Sequence, residues 1–372
     1  MIYKPYGKTG KQVSAVGFGG MRFDTTKSLE ENAELLRYAC SLGINYFDTA
    51  PGYCEDKSEL IFGEAFKNMP GPYYVSTKGM PVNFDTADKA REAVHRSLER
   101  LGVPKINFYH VWCIRKMEHY DLAMQPGGQY DGLLQCQQEG LIDHIVFSSH
   151  QPGAEIKQIL DEGKMDGVLL GMNILNFPYR WDGVQAAYES GYGVVAMNPL
   201  SGGMIPQNED KLAFLARPGE TPTEAALRFI ISCPQISVAL NGFTTREQIA
   251  TACRIADHSA PFTAEDLAEL RQHLSANLDA VCTGCGYCHN CPQQIPVPSY
   301  MQFYNQKQMF ATPDEEMPNH LKGAQDWGIL VGRKAEAGAC IACGNCEDAC
   351  TQHLNIVERL REIAAWETKL AN

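Results

Sequence analysis

The sequence predicts an α/β chain in which a closed (β/α)8 barrel is followed by a small helical domain rich in cysteine. Between residues 13 and 243, eight short β-branched and apolar runs alternate with amphipathic helical stretches, the pattern of parallel strands joined by crossover helices. Eight strand-helix units over about 250 residues match the order and length of a TIM barrel. The third observation is the cysteine pattern: eight of the fourteen fall in two runs, "CTGCGYCHNCP" at 282–292 and "CIACGNCEDACT" at 340–351. A boundary near residue 260 is expected, with the barrel over 1–260 and the cysteine domain over 261–372.

In chain order the expected strands are "VSAVGFG" (13–19), "INYFDTA" (44–50), "YYVSTKG" (73–79), "INFYHVW" (106–112), "HIVFSSH" (144–150), "GVLLGMNI" (167–174), "GVVAMNP" (193–199) and "ISVALNGF" (236–243). Capping-box spacings open two of the helices between and after them, Ser28 with Glu31 and Thr245 with Gln248. "TADKAREAVHRSLERLG" keeps an apolar stripe at Ala90, Val94 and Leu98 before its glycine stop. An open doubly wound sheet is the alternative, but "GFGGMRF" after the first strand lacks the G-x-G-x-x-G spacing and a helix directly behind it. Beyond the barrel, "FTAEDLAELRQHLSA", "VPSYMQFYNQKQMF", "HLKGAQDWGIL" and "NIVERLREIAAWETKL" read as helices, the last with a core stripe at Ile356, Leu360 and Ile363.

Composition excludes several classes. A formal net charge of -12 with no basic cluster argues against a nucleic-acid surface. No run approaches the ~20 apolar residues that span a bilayer, and "MIYKPYGKTGKQ" does not read as a signal peptide, so a cytoplasmic protein is expected. A reducing compartment makes metal a better reading than disulfides for clustered cysteines.

Polar residues gather where the strands end: Asp48, Lys78, His110, Ser148 with Ser149, and Asn173. In a barrel these ends meet at one mouth, where active sites of this architecture lie. "FDTAPGYCEDKSE", "VSTKG" and "FYHVW" resemble the second, third and fourth strand ends of the aldo-keto reductases, and the resemblance runs from "YGKTGKQVSAVGFGGMRF" to "GFTTREQI", about residues 1–256. It implies NAD(P)H-dependent interconversion of a carbonyl and an alcohol, with Asp48, Tyr53, Lys78 and His110 as the catalytic tetrad. Carbonyl reduction needs an acid beside the developing alkoxide. Tyr53 matches the family's acid, Lys78 would ease its ionisation, Asp48 would pair with Lys78, and His110 would donate a hydrogen bond to the substrate oxygen. The family's double-bond reductases place glutamate at this position, so the resemblance implies carbonyl or alcohol chemistry for His110. Trp112, Tyr46 and Arg22 are expected to border a pocket for a polar or sugar-like small molecule.

The same resemblance implies the cofactor contacts. Gly20, Met21, Arg22 and Asp48 fit the first loop. Ser148, Ser149 and Asn173 fit the carboxamide-binding positions. Met197, Pro199, Leu200, Gly202 and Gly203 fit strand seven and its loop, and Gly242, Thr244, Arg246 and Gln248 fit the eighth. Three positions depart from the family pattern: Leu169 stands for a glutamine, Met197 for the aromatic that stacks on the nicotinamide, and Thr244 for a basic residue that meets a 2′-phosphate. Arg246 is the candidate replacement, and NADP and NAD both stay open.

The spacing C-x2-C-x2-C-x2-C-P followed by C-x2-C-x2-C-x3-C resembles the bacterial ferredoxin pattern. That resemblance implies two [4Fe-4S] clusters with crossed ligation: Cys282, Cys285, Cys288 and Cys350 for one, Cys340, Cys343, Cys346 and Cys291 for the other. Two four-thiolate zinc sites are the alternative. The helices between the runs resemble an α-helical ferredoxin module. Cys40, Cys54, Cys113, Cys136, Cys233 and Cys253 are expected to pack as small apolar groups. Two roles for the module follow: electron exchange with a ferredoxin or other carrier, or a structural role beside an ordinary reductase barrel. A hydride carries two electrons and each cubane takes one, so direct transfer would ordinarily need a flavin between them.

Overall fold

The computed structural model describes residues 1–151, 153–258, 260, 262–277, 282, 287–310, 312–328, 330, 332–350 and 354–371. Ten strands are present among them. β1 (Tyr3–Pro5) and β2 (Gln12–Ser14) form an antiparallel pair. β3 (Val16–Gly19), β4 (Tyr46–Asp48), β5 (Tyr74–Gly79), β6 (Ile106–Ile114), β7 (Ile142–Ser149), β8 (Gly167–Gly171), β9 (Gly193–Met197) and β10 (Val238–Asn241) close into a parallel barrel, with β10 pairing back to β3.

The expected strand over 13–19 is divided at Ala15. Residues 12–14 give their ladder to Tyr3–Pro5, while residues from Val16 onward pair with β4 and β10. Side chains enforce the switch: the Asn45 carboxamide oxygen accepts from Ser14 N at 2.7 Å, and Ser14 Oγ donates to Val16 O at 2.6 Å. The barrel interior holds Tyr6, Val13, Tyr46, Phe108, Val146, Leu169, Val195, Val238 and Leu240. Tyr46, expected at the pocket rim, is fully buried in this layer against Tyr6 and Phe108. It precedes Asp48 by two residues, so both side chains share a strand face, Tyr46 one layer deeper.

The helix Leu29–Ser41 opens on the expected Ser28/Glu31 capping box, and Ala87–Leu101 ends at Gly102 in the left-handed region. At the eighth loop the reciprocal bond differs: Gln248 Oε1 accepts from Thr244 N at 2.8 Å while Gln248 N donates to Thr245 Oγ1 at 3.3 Å. Among the described residues no helix is long and apolar enough to cross a membrane.

The chain divides into two compact units. The first is Met1–Asn173 with Asp182–Pro199 and Ala226–Phe262; the second is Ile174–Trp181 with Leu200–Ala225 and Thr263–Asn372. The four helices expected in the C-terminal region appear as Ala264–Asn277, Val297–Phe310, Met317–Asp326 and Ile356–Ala371. Ile356, Leu360 and Ile363 are buried with Tyr300, Met301, Leu321 and Trp366 in one core. Tyr304 stacks on Trp366 at 5.8 Å, and its hydroxyl donates to Glu362 at 2.9 Å, so the closing helix is fixed by both apolar and polar contacts.

Candidate active site and metal centre

Strand register brings the expected tetrad together. Asp48 lies beside Ser76 on the neighbouring strand, and Lys78 beside His110 on the next. Alternate residues face inward, so Ser76 and Lys78 share the interior face of β5, as Phe108 and His110 do on β6. The Lys78 ammonium donates to Asp48 Oδ1, and both side chains are 3% exposed. Asp48 Oδ2 accepts from Ser76 Oγ at 2.7 Å, and Ser76 Oγ lies 2.9 Å from His110 Nε2. The Tyr46 hydroxyl reaches the same Ser76 Oγ at 3.4 Å. His110 Nε2 itself is 3.8 Å from Asp48 Oδ2, so the serine hydroxyl stands between them.

Tyr53 joins this group from the loop after β4. Its ring lies 5.4 Å from Lys78 Nζ and packs edge-on against Trp112 at 5.6 Å. Burial pushes its phenol well above the ordinary value, and the Asp48 carboxylate and the thiols of Cys113 and Cys54 push the same way. Burial is the largest of these effects, and the phenol keeps its proton at pH 7. Burial lowers His110 to about 4, so this imidazole is neutral at pH 7.

Two local distortions aim these side chains. Cys54, Glu55 and Asp56 follow Tyr53 in the left-handed region, with φ of 53°, 55° and 61°, a conformation that costs each non-glycine residue about 1 kcal/mol or more. Side chains hold it: Asp56 Oδ1 accepts from Gly52 N at 2.9 Å, Thr25 Oγ1 donates to Glu55 at 2.9 Å, and Arg100 reaches Asp56 Oδ1 at 3.1 Å. The register of β6 against β7 shifts between Val111 and Ile114, where Cys113 has φ of 62°. Cys113 N there donates to Ser148 Oγ at 2.7 Å instead of to a strand carbonyl. Such a bulge re-aims side chains at a barrel rim, here Trp112 beside Tyr53.

The expected cofactor residues of the first unit divide into two groups. Ser148, Ser149 and Asn173 are buried at strand ends. Ser148 accepts from Cys113, which leaves its O–H as a donor, whereas Ser149 both donates to Ile114 O at 3.1 Å and accepts from Gln151 N at 3.0 Å. Asn173 Nδ2 donates to Asn198 O at 3.4 Å; Met197 ends β9, and Pro199 lies two residues beyond it. Arg22, Asp24, Lys27, Glu34, Thr244 and Arg246 meet at one cleft. Met21 beside it is 55% exposed. Gly20 and Gly242 sit where a Cβ would run into Ser58 and Phe62, or into Arg22. This combination of buried polar strand ends and a charged cleft fits a nicotinamide dinucleotide. Arg246 is engaged by Glu34 at 3.5 Å and lies over the Tyr38 ring at 5.0 Å. Leu200, Gly202 and Gly203 belong to the second unit, where both glycines have positive φ.

In the second unit, Cys288 and Cys350 are buried in the module core, with Cys282, Cys291, Cys340 and Cys346 packed against it. Cys343 is exposed, and Cys285 lies outside the described residues. The turn Tyr287–His289, which carries Cys288, packs against Asn345–Asp348, which carries Cys346, so the two runs meet. Asn305 clamps the Cys282 backbone at both N and O, each at 2.7 Å, and Ala342 N donates to Cys340 Sγ at 3.4 Å. None of the described cysteines is in a disulfide. Among the described residues no three His, Cys, Asp or Glu side chains converge on one ion position; a cubane instead spreads its ligands over separate irons. An all-sulfur donor set in an apolar core, with a backbone N–H on a sulfur, fits iron-sulfur clusters. Cys40, Cys113, Cys136, Cys233 and Cys253 are buried as expected, and Cys54 is partly exposed with its thiol on Gly20 O at 3.4 Å.

Comparison with known proteins agrees with both halves. Residues 15–275 match the aldo/keto reductase family, and residues 281–355 match the 4Fe-4S dicluster domain. An uncharacterized oxidoreductase of Bacillus subtilis is 23% identical over 75% of this chain and 98% of its own length. L-galactose dehydrogenase of Arabidopsis thaliana is 26% identical over 65% of this chain and 84% of its own. Among solved structures, an aldo-keto reductase from Bacillus halodurans in its holo form superposes with a TM-score of 0.62 at 23% identity, covering 73% of this chain and 96% of that one. The chain is an oxidoreductase that belongs to the aldo/keto reductase family and carries a 4Fe-4S dicluster domain after its barrel.

Proposed function

We propose that the protein interconverts a polyhydroxylated carbonyl compound and its alcohol with NAD(P)H, using Asp48, Tyr53, Lys78 and His110, and that its C-terminal module holds two [4Fe-4S] clusters. The observation that carries the reading is the buried Asp48–Lys78 pair flanked by His110 and by a protonated Tyr53. A bound reduced nicotinamide supplies a hydride. The chain supplies the rest: Tyr53 holds the proton for the substrate oxygen, Lys78 keeps positive charge beside the phenol ring, and Asp48 fixes Lys78. His110, neutral, orients the oxygen rather than protonating it. Ser148 and Asn173 suit the carboxamide. The charge balance of Arg22, Lys27 and Arg246 against Asp24, Glu31 and Glu34, with Arg246 already on Glu34, favours NADH over NADPH. The sugar-like substrate class draws support from the L-galactose dehydrogenase relative and from D-threo-aldose 1-dehydrogenase of Pseudomonas sp, 24% identical over 58% of this chain and 74% of its own.

For the clusters, Cys282, Cys285, Cys288 and Cys350 would hold one, and Cys340, Cys343, Cys346 and Cys291 the other, in a reducing, cytoplasmic setting. Exchange of electrons with a ferredoxin-type carrier is favoured over a purely structural role by one observation: Cys343 is exposed, and neighbouring Ile341 is 59% exposed. An apolar contact beside a shallow cluster suits a transient redox partner.

Tyr53→Phe tests the barrel chemistry. Turnover of glyceraldehyde with NADH or NADPH, or of L-galactose with NAD+ or NADP+, should fall at least a hundredfold with iron content unchanged. Retained turnover in this variant removes Tyr53 from its role.

A further inference from the structure

Ser76 is buried, lies on the interior face of β5, and touches three polar groups at once. Its hydroxyl has one hydrogen and two lone pairs to distribute. Asp48 Oδ2, at 2.7 Å, is a carboxylate oxygen whose partner oxygen is held by Lys78, so it only accepts. The hydrogen of Ser76 therefore points to Asp48, and what remains toward His110 Nε2, at 2.9 Å, is a lone pair. The contact is attractive only when Nε2 carries a hydrogen. Reversing it, with Ser76 donating to Nε2, would set two oxygens 2.7 Å apart with no hydrogen between them. On the other side of the ring, Nδ1 is buried and meets no partner at hydrogen-bond length.

We propose that Ser76 is a positioning residue for the barrel's reaction: held by Asp48, its hydroxyl keeps a proton on His110 Nε2. The proposal rests on the tetrad reading above and adds a member that touches neither substrate nor cofactor. A substrate oxygen arriving at Nε2 then meets an N–H rather than a lone pair and shares that hydrogen with Ser76. Asp48 thus serves two partners through its two oxygens, Lys78 directly and His110 through the serine. With the proton on Nδ1, the oxygen would be repelled instead of oriented.

The test uses the full, cluster-loaded chain labelled with ¹⁵N-histidine, with His110→Gln to assign the resonance. Long-range ¹H–¹⁵N spectra should show His110 as the Nε2–H tautomer with a slowly exchanging imidazole hydrogen. In Ser76→Ala that hydrogen should exchange rapidly, and kcat on glyceraldehyde or L-galactose should drop about tenfold with KM within about twofold, as loss of one orienting hydrogen bond predicts. Ser76→Thr, which keeps the hydroxyl, should restore the protected resonance. A wild-type His110 found as the Nδ1–H tautomer overturns the proposal, and this outcome stands even if Ser76→Ala does not fold. So does a Ser76→Ala protein with an unchanged resonance and full kcat. The tautomer is read without turnover, so failure of the Tyr53 assignment would appear separately, as activity kept by Tyr53→Phe.

Discussion

Removing one member of the Asp48–Lys78 pair should cost far more than removing both. The two side chains are each 3% exposed and bonded to one another, and Asp48 keeps a further hydrogen bond from Ser76. Asp48→Asn leaves an ammonium in this enclosed site without its counter-ion, and Lys78→Met leaves the carboxylate likewise. Breaking a buried pair in this way costs about 3–5 kcal/mol, whereas replacing both charges is close to neutral. For a domain of this size each kcal/mol moves the unfolding midpoint by about 2–4 °C, so each single variant should melt roughly 10 °C lower. The double variant Asp48→Asn/Lys78→Met should recover most of that loss, since the asparagine still accepts from Ser76 and methionine fills the lysine's volume. Urea unfolding at pH 7 on the four proteins gives the coupling energy, expected at about 6–10 kcal/mol because two single losses of about 3–5 kcal/mol each nearly vanish in the double variant. Additive single effects, with coupling below about 0.5 kcal/mol, would refute the buried-pair argument.

Two other outcomes follow from the structure. His110 is lowered to about 4 by burial, against about 6.5 for an unfolded chain. Below pH 6.5 the unfolded chain therefore binds a proton that the folded chain refuses, and stability present above pH 6.5 is lost as pH falls toward 4. The loss amounts to about 3 kcal/mol, and stability-pH profiles of the wild type and His110→Gln should diverge by that amount over this window; parallel profiles would place His110 in a wetter site. Cys346→Ala should lower iron from about eight to about four per chain, and a preparation with zinc and no visible absorption would instead support the thiolate-zinc alternative.

Much of the site was legible because strand-end polarity and the two-residue period both survive in sequence. Asp48 and Lys78 stand at the ends of consecutive strands, and the two meet His110 in the barrel, although β6 runs on past His110 to Ile114. What escaped was information that depends on register. Ser76 and Thr77 are indistinguishable in "YVSTKG", yet Ser76 meets Asp48 while Thr77 donates to Glu59 on the outer side. Tyr46 looked like a rim aromatic because its depth below Asp48 is set by strand direction rather than by residue type. The left-handed run at Cys54, Glu55 and Asp56 carries none of the glycine or asparagine that would announce it, being imposed by Thr25, Arg100 and Gly52 from outside the run. The switch at Ala15 similarly depends on Asn45, some thirty residues away. The cysteine runs were the most local signal, and a spacing rule sufficed to read them as a dicluster module.

On the proposed reading, hydride passes from the nicotinamide to the carbonyl carbon directly, and the clusters take no part in that step. The most direct test is an anaerobic single turnover with glyceraldehyde and NADH deuterated at the transferable C4 position, with product deuterium and cluster absorption followed together. Deuterium should appear on the product's carbinol carbon with the cluster bands unbleached. Bleached clusters with deuterium lost to solvent would contradict it, because the electrons would then have passed through the module.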